Sequence, residues 1–310
     1  MGLPVAPGYP DYGSTGTSKF IPQIWSTKLV IKFYKSTVFG EISNTDYEGE
    51  IKKFGDKVII RTVPDTQIKT YSKGMKLVYD QYESANVELN IDKGKYFAFT
   101  VDSVDKRQSD IAFVEKWSED ASYQMKMAVD DDVLNNIYPD AHAKNKGATA
   151  GFVSSSFDLG AAAAPEAISK DNILGYIVDC GSVLSEQNVP ETGRWMVIPV
   201  WMANCIKKSD LKDASMTGDA VSPLRNGRIG VIDQFTLYIT NNYRSVTDGA
   251  DTCYNILFGT KAATTFAAQM TEMETLANPD AFGQLIRGLN VYGYEVIKPE
   301  ALGVLYVKKG

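Results

Sequence analysis

Between residues 87 and 137 the apolar residues change their spacing, and that change constrains the fold more than any motif does. Val87, Leu89 and Ile91 alternate with polar residues, DKGK follows at 92–95, and Phe97, Phe99 and Val101 alternate again. Alternation puts an apolar set on one face of a strand. Two such runs joined by four residues containing a glycine predict a β-hairpin with Lys93, Gly94 and Lys95 at its tip. Next, Ile111, Val114, Trp117, Ala121, Met125, Val129, Val133 and Ile137 recur every three or four residues. That spacing predicts a helix of roughly 30 residues, about 50 Å long. It should stop near Tyr138, because the residue before Pro139 is biased away from helical geometry. A lone one-faced hairpin is marginal in water. Its apolar face must be covered by something else, in this chain or in another copy.

The remaining segments extend this α+β pattern. Residues 1–18, MGLPVAPGYPDYGSTGTS, carry four Gly and three Pro with almost no charge. They predict an extended arm rather than a helix or a ladder. A short helix is expected within Phe20–Phe39, and a strand at 56–63 stopped by Pro64. Residues 147–168 read as a small-residue connector. Residues 169–188 read as a helix with Ser169 as a candidate N-cap and Ile173, Ile177 and Leu184 on one side. RWMVIPVWMANCI (194–206) reads as a buried strand run broken by Pro199. Residues 261–277 read as a helix with Phe266, Met270, Met273 and Leu276 on one side. Strand-like runs follow at Leu289–Ile297 and Leu302–Val307.

Chemistry is hard to find. A chain of 310 residues with 44% hydrophobic content can bury a real core. Its 32 Lys plus Arg against 38 Asp plus Glu leave a net charge of -6. No basic face is obvious, since Lys52–Lys53, Lys207–Lys208 and Lys308–Lys309 are scattered pairs, so tight nucleic-acid binding is not expected. No apolar run reaches the length of a membrane span, and the N-terminus lacks the pattern of a secretory signal. Cys180, Cys205 and Cys253 are far apart without a CxxC and are expected to be reduced, which fits a cytosolic birthplace. His142, the single histidine, is expected to be a solvated loop residue. Asp130, Asp131 and Asp132 lie on the long helix, where adjacent residues point about 100° apart and cannot converge on one ligand. A solvated or intersubunit acidic face is the expectation. No catalytic group, cofactor or metal is expected.

The order of arm, short helix, hairpin, long helix, mixed α/β region and final strands resembles the major capsid protein of tailed bacteriophages. This is the Hong Kong phage capsid fold, shared with herpesvirus floors and bacterial encapsulins. Four local stretches carry the resemblance. FIPQIWS (20–26) looks like the start of podovirus-type coat proteins, and LNIDKGKYFAFTVDSVDKRQS (89–109) resembles their extended-loop return strand entering the spine helix. GRIGVIDQFTLYITNN (227–242) is similar to a recurring axial-domain pattern. FAAQ (266–269) with FGQLIRGLNVYGYEVIKPEAL (282–302) looks like the C-terminal signature.

The resemblance implies an N-terminal arm at 1–45, an extended β-hairpin loop at 46–102 and a spine helix of the peripheral domain at 103–149. An axial domain at 150–277 and C-terminal peripheral strands at 278–310 would follow. It also implies a non-enzymatic function: pentamers and hexamers tiling an icosahedral shell around double-stranded DNA, which is contacted without sequence preference. A separate scaffolding protein, a portal protein at one vertex and a decoration or cement protein are the further partners implied. The location implied is the virion, after synthesis in the host bacterial cytoplasm. Lys93, Gly94, Lys95, Arg228 and Arg287 are the candidate intersubunit residues, with an internal salt bridge or a solvated side chain as the alternative for the two arginines. Some relatives weld subunits by a Lys–Asn isopeptide bond assisted by a Glu. No motif marks such a trio here, so assembly is expected to be noncovalent. An encapsulin-like shell is the nearest alternative. A soluble hydrolase using Asp130 or Glu191 lacks a motif, and tail or decoration proteins are mostly β, which the long helix opposes.

Overall fold

The computed structural model describes residues 37–47, 57–61, 66–81, 86–102, 113–209, 230–279 and 281–310. The expected arm over 1–18, most of the expected helix within Phe20–Phe39, and Arg228 lie outside these residues. Among them, α1 (Phe39–Ile42) leads to the strands β1 (Lys57–Arg61), β2 (Asn86–Asn90) and β3 (Lys93–Asp102). The long helix α2 (Phe113–Asn136) comes next, ending two residues before Tyr138 as Pro139 demands.

The predicted hairpin is corrected. β2 pairs antiparallel with β1, from Lys57↔Asn90 to Arg61↔Asn86. β3 pairs with a strand from far down the chain, β11 (Gly283–Val296), from Lys93↔Tyr292 to Asp102↔Gly283. The two alternating runs are therefore successive strands in different sheets. Lys93, Gly94 and Lys95 lie inside β3, not at a tip. Alternation reports that a strand has two unlike faces but is silent about its partner. The actual hairpin is β1–β2, and residues 66–81 lie between its arms with Gly74 at φ +90° in the turn. Gly293 fixes the hand-over from β2 to β3. A Cβ there would sit 2.0 Å from the Asn90 carbonyl oxygen, so only glycine lets β11 pass so close to the end of β2.

The helix expected over 261–277 is also corrected. Residues Thr264–Ala277 form β10, paired antiparallel with β11 along its length and interrupted by a bulge between Ala268 and Met270. Helix preference is worth only tenths of a kcal/mol per residue for Ala, Met and Glu. Here a ladder and the burial of Phe266 and Ala267 against neighbouring strands outweigh it. β10, β11 and β3 make one three-stranded sheet.

The second sheet has seven strands. Its order is β4 (Glu166–Ile168), β12 (Leu302–Lys309), β9 (Asp251–Thr260), β5 (Arg194–Ile198), β7 (Phe235–Ile239) and β6 (Val231–Ile232), with β8 (Val246–Asp248) on β9. All five residues of β5 are buried. After it, the expected strand run becomes a helix, α4 (Val200–Lys208), capped by Pro199. The proline lacks the N–H a continuing ladder would need, but its fixed φ suits a helix entry. The β5–α4–β7 passage returns parallel to β5, as a crossover helix allows. The helix α3 (Ile173–Glu186) begins later than Ser169. Asn172 stands at its N-cap, and the Asn172 carboxamide oxygen accepts from the Ser169 backbone N at 2.7 Å. Strand pairing cuts across the expected bounds near 277: β10 belongs with β11 and β3, whereas β12 joins β9 and β4. The main core lies between the seven-stranded sheet, α3, α4 and the C-terminal half of α2, where Val129, Val133, Leu134 and Ile137 are buried.

Candidate assembly surfaces

Residues 66–81 are exposed throughout. Ile68 is 93%, Tyr79 85%, Val78 68%, Tyr71 68% and Leu77 59% exposed. Scattered apolar residues on a surface need no account, but a contiguous set does. The two arms of this segment are closed by a turn in which the Met75 backbone N donates to the Ser72 carbonyl at 3.1 Å. An ion pair of Lys69 with Asp80 at 2.7 Å clasps them below it. These contacts within the segment hold its shape while its apolar side chains stand exposed. The sequence hinted at this in YSKGMKLVYDQY, where apolar residues lack either clean period.

The three consecutive aspartates bind three different parts of the fold. Asp130 is fully buried, which corrects the expected solvated or intersubunit face for this residue. One of its carboxylate oxygens accepts from the backbone N of Val38 and of Phe39, both at 2.8 Å, at the start of α1. The other accepts from the Asn242 carboxamide. Burial without a cation pushes its pKa up. Asp131 pairs with Arg244, and Asp132 accepts from the Tyr292 hydroxyl at 3.0 Å. The angular spread that rules out a metal site on this helix thus ties α1, the segment after β7 and β11 to one turn.

Lys93 closes the same corner. Its Nζ lies 3.9 Å from Asp132 and 4.5 Å from the centre of the Tyr294 ring. Burial pulls its pKa down, but the Tyr294 hydroxyl and the carboxylates of Asp132 and Asp92 outweigh that, leaving it above the ordinary lysine value. Gly94 and Lys95 are exposed along β3. Arg287 forms an ion pair with Glu274, its register partner across β10, with Nε to Oε2 at 2.8 Å; the arginine side chain is 60% exposed. Of the candidate residues, Lys93, Gly94 and Lys95 share β3, and Arg287 stands opposite Ala98 on the next strand.

His142 is not simply solvated. It is half-buried, and its Nδ1 faces the Lys144 backbone N at 3.2 Å and the Gln187 side-chain N at 3.0 Å. Both neighbours donate, so Nδ1 is the acceptor and the imidazole caps a turn. Among the described residues no group of His, Cys, Asp or Glu is arranged to hold a metal. Cys180 and Cys253 are buried, Cys205 is half-buried, and all three are free. Burial pushes the Cys180 thiol up, away from a reactive thiolate.

No protein-family model and no curated protein matches the sequence. Solved structures do. A structure from Mycobacterium phage Che8 is 27% identical with a TM-score of 0.75, covering 92% of this chain and 97% of that one. The capsid of cyanophage P-SCSP1u aligns at 14% identity and a TM-score of 0.71, covering 98% and 100%. The mature capsid of bacteriophage PhiM1 aligns at 12% identity and a TM-score of 0.64, covering 96% and 94%. These likenesses do not single out the podovirus type, and they do not favour the encapsulin-like alternative. Along nearly its whole length the chain has the α+β fold of these tailed-phage capsid structures, and that likeness supports a structural role as a major capsid protein.

Proposed function

We propose that copies of this chain assemble noncovalently as pentamers and hexamers into a closed icosahedral shell around double-stranded DNA. The shell belongs to the virion, and its subunits are made in the host bacterial cytoplasm and carry no enzymatic activity. The observation that carries this reading is the hairpin β1–β2 with its apolar, outward-standing residues 66–81. Such a patch opposes solubility in a free monomer and becomes stabilising when neighbouring copies cover it. In this reading α2 with the three-stranded sheet forms the peripheral domain and the seven-stranded sheet the axial one. A separate scaffolding protein guides assembly, a portal protein occupies one vertex, and a decoration or cement protein is a further candidate. DNA is met without sequence preference through locally basic patches, since the net charge of -6 gives no global attraction.

Gly94 and Lys95 on β3, together with Arg287 and Arg228, are the intersubunit residues of this proposal. Lys93 is a weaker member, because its ammonium is already engaged by Asp132 and Tyr294. The test is to replace residues 66–81 by a short Gly/Ser linker and follow assembly by sedimentation. The subunit should stay folded, with its melting temperature within a few degrees of the parent, and should no longer form shells. Shells of normal size from the shortened chain would contradict the proposal.

A further inference from the structure

The single histidine stands where three parts of the fold meet: the turn after α2, the loop leaving α3 and the connection from β11 to β12. The His142 backbone N donates to the Pro299 carbonyl at 3.1 Å. Its Nδ1 faces the Lys144 backbone N and the Gln187 carboxamide N. The same Gln187 nitrogen donates to the Asn145 carboxamide oxygen at 3.1 Å. Asn145 is fully buried, and its own nitrogen donates to the carbonyls of Glu300 at 2.7 Å and Leu302 at 3.0 Å. A backbone carbonyl only accepts, so these two settle which end of the Asn145 carboxamide is the nitrogen. The Asn145 oxygen is thereby turned to Gln187, and Gln187 must present N–H groups both to it and to His142. The relay ends on a ring nitrogen that has to keep its lone pair.

We propose that this relay makes His142 a proton-sensitive fastener between the end of α2 and the seven-stranded sheet, closed on the neutral imidazole and opened when Nδ1 takes a proton. A protonated Nδ1 is a donor set against two donors, and neither can turn round. The Lys144 group is backbone. Reversing the Gln187 carboxamide would set its oxygen against the Asn145 oxygen, and reversing Asn145 as well would give up both carbonyls next to β12. Each of these alternatives leaves buried polar groups unpaired, which is costly. Opening the joint instead frees the ring to be charged in water, so the proton and the closed joint exclude one another.

The charged groups around the ring are committed elsewhere. On its own segment Asp140 is exposed, the Lys144 ammonium donates to Ser155 Oγ at 2.8 Å, and the Lys146 ammonium donates to the Pro139 carbonyl at 2.6 Å. On the α3 side, the Glu186 carboxylate accepts from the backbone N of Val153 and Ser154. On the β11–β12 side, Lys298 and Glu300 line the adjoining cavity with opposite charges. Among the described residues no carboxylate pairs with the imidazole to hold a second proton in place.

The test is amide exchange of the full-length chain at pH 7.5 and 5.5, read as protection relative to an unstructured chain. A free imidazole takes its proton near pH 6.5. One unit below that value, proton binding to the open joint should lower protection about tenfold in peptides covering 142–151 and 187–190. The fully buried strand β5 serves as the control and should hold its protection. His142→Asn keeps an acceptor near the position of Nδ1 but does not titrate, so its joint should stay closed at both pH values. His142→Ala removes the acceptor and should show low protection at both, without a further fall on acidification. The parent comparison decides the matter by itself if a variant fails to fold. Protection that does not change with pH, an equal fall in β5, or a fall in His142→Asn as large as in the parent overturns the proposal.

Discussion

At the scale of residues, the long helix α2 works by directing adjacent acids to different tasks. Asp130 has three donors and no cation. Asp130→Ala should leave those donors unpaired and destabilise the subunit by about 3 kcal/mol, at roughly 1 kcal/mol per bond; denaturant unfolding measures it. Asp130→Asn, which keeps the volume, should cost less. The pH dependence follows from the raised pKa. Between the unfolded carboxylate value and the raised folded one, the native state holds more protons. The Asp130 contribution to stability therefore increases as pH falls through that window and declines as pH rises through the folded pKa. Asp130→Asn should remove that increment, so the stability gap between parent and variant should widen on acidification; a gap that stays constant with pH would contradict the assignment. The sequence showed that the three carboxylates diverge, because helix geometry alone dictates it. It did not show that Asp130 is buried, because its partners are the backbone N–H groups of residues more than ninety positions earlier and a carboxamide more than a hundred later.

At the scale of elements, legibility followed locality. The long helix and its stop at Pro139 came from a period and a proline, both local signals. β1, β11 and β12 were visible as β-prone runs for the same reason. What failed depended on distant partners. β2 and β3 alternate as a hairpin would, but β3 pairs with residues almost two hundred positions later. The Ala- and Met-rich β10 is a strand because β11 lies beside it. The Gly-punctuated stretch 283–293 is explained by close approach rather than by chemistry. A Cβ at Gly288 would lie 2.4 Å from the Phe97 ring, and one at Gly293 only 2.0 Å from Asn90. Gly293→Ala meets backbone rather than a movable side chain, so it should cost about 1–3 kcal/mol in overpacking. It should also loosen the hairpin from the three-stranded sheet, seen as faster amide exchange in β2. Unchanged exchange with unchanged stability would contradict that role.

At the scale of the whole molecule, the proposed assembly surface was only partly readable. The arm composition and one-faced strands pointed to completion by other copies, and the family likeness named the kind of assembly. The exposed segment 66–81 was missed, because an apolar residue's exposure depends on what fails to pack on it. Noncovalent assembly makes a sharp prediction: boiled, denatured particles should run as one band near 34.1 kDa, and a ladder of multiples would show covalent links. The most direct measurement is negative-stain electron microscopy of the purified full-length chain, alone and with a candidate scaffolding protein. Uniform closed shells, or pentamers and hexamers that close into them, are the predicted result. A monomer or dimer that never assembles, even with scaffold present, would contradict the account.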